Sequence, residues 1–135
     1  MIRLTALLFL ILAACRGDET LASYGGEGKV WLLRELDGAA FPARATLEFP
    51  PGGGRIAGVA ACGSYSAAMT VPYPWFQSGL PEMSLSSCPD PAAEDLTAQT
   101  AFVKALAAME FAEISGPVLI LSNSAGREML FRAGG

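Results

Sequence analysis

The 135-residue chain carries 9 Lys and Arg against 13 Asp and Glu, a net charge of −4, with three cysteines and no histidine. The missing histidine removes Ser-His-Asp and Cys-His catalysis and the commonest metal ligand. Scattered acidic residues and the lack of a basic patch argue against nucleic acid as a partner.

Met1-Ile2-Arg3 is a short basic start, and Leu4 to Ala14 is an apolar run broken only by Thr5. The run is too short to cross a bilayer, which takes roughly 20 apolar residues. A charged start, a short apolar run and small residues before a break form the layout of an export signal. The run ends Leu12-Ala13-Ala14-Cys15, which resembles the bacterial lipoprotein signal, cut before a cysteine that is then lipidated. By that resemblance residues 1–14 are a signal peptide and Cys15 is the lipidation site. The protein then reaches its membrane partner through lipid rather than through Lys/Arg contacts. Arg16, where the retention signal has Asp, implies the outer membrane of a bacterial envelope, facing the periplasm. The alternative is an ordinary secretory signal with a chance cysteine.

Residues 15–28 are polar and small and read as a flexible tether. Residues 29–135 are one domain's worth of chain. Lys29 to Leu36 reads as a first strand, with Val30, Leu32 and Leu36 on one face and Trp31 and Leu33 on the other. Asp37-Gly38 is a tight turn. Ala45 to Phe49 alternates as a strand, and Pro50-Pro51-Gly52-Gly53-Gly54 is a hairpin loop. No Lys-Ser/Thr and no helix follow those glycines, so they form no phosphate loop. Arg55 to Ala61 is the next strand, in which Gly58 marks a bulge or a close backbone approach. Gly63-Ser64 turns the chain, Tyr65 to Val71 runs extended, and Leu80 to Ser87 is a strand leading to Cys88.

Between these strands, Tyr73, Trp75 and Phe76 crowd a stretch that Pro72 and Pro74 keep out of a central strand or a helix. This is the candidate interaction loop, since loops on a rigid scaffold and exposed aromatics are usual carriers of binding. The competing expectation is that Trp75 and Phe76 fold back to cover an open end of the sheet.

Then the period becomes helical. Asp90-Pro91 reads as N-cap and first helical residue. Leu96, Phe102, Val103, Leu106 and Met109 form the core-facing stripe of a helix from about Pro91 to about Met109. Glu94 and Asp95 suit its N-terminal dipole, and Glu110 and Glu113 read as solvated residues near its end. Phe111 to Ile114, Val118 to Leu121 and Glu128 to Phe131 are three closing strands separated by Ser115-Gly116-Pro117 and Ser122 to Gly126.

With Cys15 assigned to lipid, Cys62 and Cys88 remain as an even pair in a compartment where disulfides persist. A link between them would stabilise the fold by about 3–4 kcal/mol in the chain-entropy model. The alternative is two buried free thiols. Three cysteines, one lipidated, cannot build a thiolate zinc site.

The order of these pieces resembles the META domain, the HslJ-like family of bacterial envelope lipoproteins. The resemblance rests on Trp31 with Leu36-Asp37-Gly38, Ala45 to Phe49, Gly54 to Gly58 leading to Cys62, Ser84 through Cys88-Pro89, the helix with Phe102 and Leu106, and Leu119 to Ser122 before Met129-Leu130-Phe131. It implies an α+β fold: a small curved antiparallel sheet, partly open and barrel-like, packed against one helix. It also implies a stress-related, non-enzymatic interaction or structural module without cofactor or metal. Two positions depart from the family pattern. Ala61-Cys62-Gly63 stands where Gly-Cys-Asn is usual, and Ser84-Leu85 where Thr-Arg is usual. The partner is an envelope protein or a small ligand. The alternative functions are a barrel-like carrier, which a cavity would favour, and an inhibitor of a periplasmic hydrolase, which a rigid projecting loop would favour. Few aromatics to line a cavity weigh against the carrier.

Overall fold

The computed structural model describes residues 25–26, 28–86 and 88–134; the expected signal peptide, Cys15 and most of the tether lie outside them. β1 (Val30–Leu36) sends Trp31 and Leu33 into the core. Its register against the last strand shifts between Leu33 and Glu35. That irregularity reverses the alternation, so Leu36, expected beside Leu32, packs against the core with Trp31 and Leu33 instead. Asp37 and Gly38 then turn the chain with φ of 51° and 81°, the positive values a two-residue hairpin demands. β2 (Ala39–Ala40) returns along β1.

β3 (Thr46–Leu47) lies between β1 and β4 (Gly54–Ala60) and stitches them together. Ala45 bridges Ala60, and Glu48 bridges Ala57. Between the two bridges, side chains replace the ladder. The Val59 N–H donates to Thr46 Oγ1 at 3.0 Å, and the buried Tyr65 hydroxyl donates to the Thr46 carbonyl. Burial of that phenol pushes its pKa far up, with the Glu48 charge adding to the effect. Gly58 is the close approach expected of it: a Cβ there would overlap the Thr46 carbonyl.

β4 turns into β5 (Gly63–Met69) through Ala61-Cys62, not through Gly63-Ser64, because Ala60 already pairs with Gly63. Gly63 serves packing rather than turning. A Cβ on it would meet the Ser84 carbonyl oxygen at 2.6 Å and Leu85 at 2.9 Å. The left-handed position falls to Ala61, with φ of 54°. β6 (Glu82–Ser84) is only the middle of the expected strand. Proline cannot donate to a ladder at its start, and a turn closed by Cys88 N–H to Leu85 O at 2.9 Å ends it.

α1 (Ala93–Ala108) starts later than Asp90-Pro91 suggests. Its N-cap is Ala92, still extended and without a side-chain cap, while Asp90 is exposed. Residues 89–92 are spent in reaching from Cys88, held beside the β4–β5 turn, to where Ala98 and Phe102 enter the core. The buried face is Ala98, Phe102, Ala105 and Leu106. Leu96 lies about 120° around the helix from Phe102 and is exposed, contrary to the expected stripe. Phe102 packs on Tyr65 and Phe41, with ring centroids 5.3 and 6.3 Å away.

β7 (Phe111–Ser115), β8 (Val118–Ser122) and β9 (Glu128–Gly134) form a meander that closes on β1. The strand orders are β2-β1-β9-β8-β7, with β3 on β1, and β4-β5-β6. The fold is the expected α+β arrangement of curved antiparallel sheet against one helix, with no closed barrel among the described residues. Trp31, Leu47, Ile56, Phe102, Leu106, Leu119, Leu121, Met129 and Phe131 are its fully buried centre.

Candidate functional site

The aromatic segment after β5 is pinned by its backbone. Pro72 and Pro74 have no N–H, which limits what this stretch can donate. One bridge forms, between Trp75 and Phe111 of β7. It consists of Phe76 N–H to Glu110 O and Ala112 N–H to Pro74 O, both 2.8 Å. Trp75 N–H turns back to Pro72 O at 2.8 Å.

The three aromatics part company here. Phe76 is 2 % exposed and belongs to the core. It cannot touch a partner, because alternation about the bridge points it inward. Tyr73 is half-buried against the core, its hydroxyl accepting the Ile114 N–H at 3.3 Å. Trp75 is 53 % exposed, with its ring tilted on Phe111 at 5.4 Å. Of the expected loop, Trp75 is the aromatic left exposed, Phe76 covers the core and Tyr73 packs partly against it.

Glu110, beside this bridge, is less free than expected. Its carboxylate accepts the Ser124 N–H at 3.0 Å and the Ser124 hydroxyl at 2.9 Å. Those two hydrogen bonds, the backbone one first, hold its pKa below the usual range. On the far side of the same β8–β9 loop, Asp37 accepts Arg127 Nε at 3.1 Å, Arg127 Nη2 at 2.9 Å and the Glu128 N–H at 3.0 Å. The guanidinium first, then the backbone N–H, pull its pKa down. The β8–β9 loop is thereby tied to both the β1–β2 turn and the helix end, where Asn123 Nδ2 donates to Ala108 O at 3.1 Å.

Cys62 and Cys88 sit with their Cα atoms 5.5 Å apart, inside the range a disulfide needs. Cys62 is buried and Cys88 half-buried. Gly26, assigned to the tether, is buried against the domain, its carbonyl accepting Trp31 Nε1 at 3.3 Å. Among the described residues no His, Cys, Asp or Glu cluster could hold a metal ion.

A groove that the sequence reading did not find runs between the β1–β2 hairpin and α1. Leu36, Ala39 and Phe41 form one wall and Ala93, Thr97 and Ala101 the other of this open groove of about 630 Å³. Alanines on both walls make the space by leaving it empty.

Curved antiparallel strands against one helix, with a cysteine pair at the sheet's middle turn, make this a small α+β module of the single-helix kind. The META domain profile matches residues 22–134, and the chain belongs to the META domain family. Among solved structures, it is similar to the NMR structure of a protein from Burkholderia xenovorans, at 18% identity and TM-score 0.60, covering 84% of this chain and 86% of that one. It also matches the crystal structure of a DUF4847 family protein from Bacteroides vulgatus ATCC 8482, at 14% identity and TM-score 0.46, covering 65% and 57%. No curated protein matches the chain.

Proposed function

We propose that this META domain is a non-enzymatic, stress-related interaction module of the bacterial envelope. It is carried on a lipid at Cys15, at the periplasmic face of the outer membrane, and engages an envelope protein through Trp75. The reading of the anchor rests on Leu12-Ala13-Ala14-Cys15. One observation carries the contact: Trp75 is 53 % exposed although the residues around it are fixed, with Phe76 in the core and backbone hydrogen bonds to Glu110 and Ala112. Exposed aromatics on pre-organised backbone give large contact area at low entropy cost. The absence of histidine and the buried setting of Cys62 support the non-enzymatic reading.

The test pairs a denaturant melt with photo-crosslinking in intact envelopes. Trp75→Ala should leave the folding free energy within about 0.5 kcal/mol and remove a specific crosslink formed by a photoreactive phenylalanine at position 111. A stability loss of about 3 kcal/mol or more, or an undiminished crosslink, would sink the proposal.

A further inference from the structure

The groove beside α1 shares Ala40 and Phe41 with a second compartment of about 390 Å³. Arg34 and Arg44 also line that second compartment. Both arginines are exposed, and among the described residues neither guanidinium has a hydrogen-bond or ion-pair partner. Two arginines without a side-chain partner thus line one compartment of a chain whose net charge is −4. The first compartment is apolar. Its hydroxyl group, on Thr97, is already donated to Ala93 O at 3.0 Å. Its charged residue is Glu94.

We infer that the two compartments form one binding site for a long-chain carboxylic acid, with the chain along α1 and the carboxylate between Arg34 and Arg44. Each compartment by itself falls within the range of ligand pockets, roughly 300–1,000 Å³. An apolar wall without free donors has nothing to offer a polar ligand, whereas an alkyl chain gains by leaving water. Guanidinium forks match carboxylate geometry and bind it bidentately. Glu94 repels an anion from the helix end, so charge sets the orientation as well as the place. The site goes beyond the Trp75 surface and shares no residue with it.

The test uses the full chain reconstituted in phosphatidylcholine nanodiscs, labelled with palmitic acid carrying a diazirine in its chain. Crosslinks should map to residues 36–42 and 93–101 and be competed by unlabelled palmitate. The methyl ester of the same probe should label at least tenfold less. Arg34→Gln with Arg44→Gln should lower labelling at least tenfold, and Ala101→Trp should abolish it. All these positions are exposed, and circular dichroism of each variant verifies folding. Labelling spread over the surface, equal labelling by the ester, or labelling undiminished in either variant would overturn the inference.

Discussion

The β7–β9 meander and the β4–β6 sheet hold together by different means. Both have uninterrupted antiparallel ladders at their centre. In the meander the inward side chains are Leu119, Leu121, Met129 and Phe131, all fully buried. In β4–β6 the large buried side chains Ile56, Tyr65 and Met69 alternate with the small Ala60, Gly63 and Ala67, and β6 contributes only three residues. Hydrogen bonding is comparable, but apolar burial returns roughly 25 cal/mol per Å², and small side chains bring little area. The cysteine pair stands where that deficit lies. Regular backbone pairing therefore does not by itself say how firmly a region is held.

The largest expected effect is in the meander. Phe131→Ala should cost about 3–5 kcal/mol in a urea melt, because its side chain is wholly enclosed. A loss below about 1 kcal/mol would remove the contrast between the two sheets.

Breaking the Cys62–Cys88 link, by reduction or by Cys88→Ser, should cost about 3–4 kcal/mol. Hydrogen exchange should then rise first in β4–β6 and later in β8 and β9. Thiol labelling of unfolded, unreduced protein provides the prior check, and two free thiols at Cys62 and Cys88 would end this side of the comparison.

Ala61→Gly should stabilise the β4–β5 turn. A left-handed alanine costs about 1–2 kcal/mol, against about 0.5–1 kcal/mol for the extra freedom of unfolded glycine. The net gain expected is about 0.5–1 kcal/mol, read as a higher urea midpoint. A lower midpoint would show that the turn does not need its φ of 54°.

The smallest effect is acid loosening, confined to the meander side. Asp37 and Glu110 have folded pKa values held below their ordinary 3.8 and 4.5. A depressed carboxyl pKa gives stability that is present above the unfolded value and is lost as pH falls through the folded one. Both groups are solvent-exposed, so the change should be slight. Amide shifts at Ser124 and Glu128 should move below about pH 4 while those of β4 and β5 stay still. Asp37→Asn should abolish the movement at Glu128.

What the sequence determined by itself is the local grammar. The first strand at Lys29–Leu36, the apolar strand at Val118–Leu121, the Asp37-Gly38 turn and the helical run through Phe102 and Leu106 appear in the fold, and the run at Ala45–Phe49 appears shortened to Thr46–Leu47, since each depends on neighbours a few residues away. A lone glycine inside a strand run marked Gly58 as a bulge or a close approach, although the group that approaches it, the Thr46 carbonyl, lies on another strand. Only the tertiary structure decided the rest. The register shift after Leu33 turned Leu36 inward, and no alternation within one strand can reveal a slip against its partner. Gly63 is small for the sake of Ser84 and Leu85, so the turn it advertised fell on Ala61. The helix began where Ala98 and Phe102 could reach the core, not where Asp90 could cap it. One backbone bridge separated Trp75 from Phe76, and alanines distant in sequence left the groove open between hairpin and helix. In each case the deciding contact joins segments far apart in the chain, and such contacts leave no periodic trace in either segment alone.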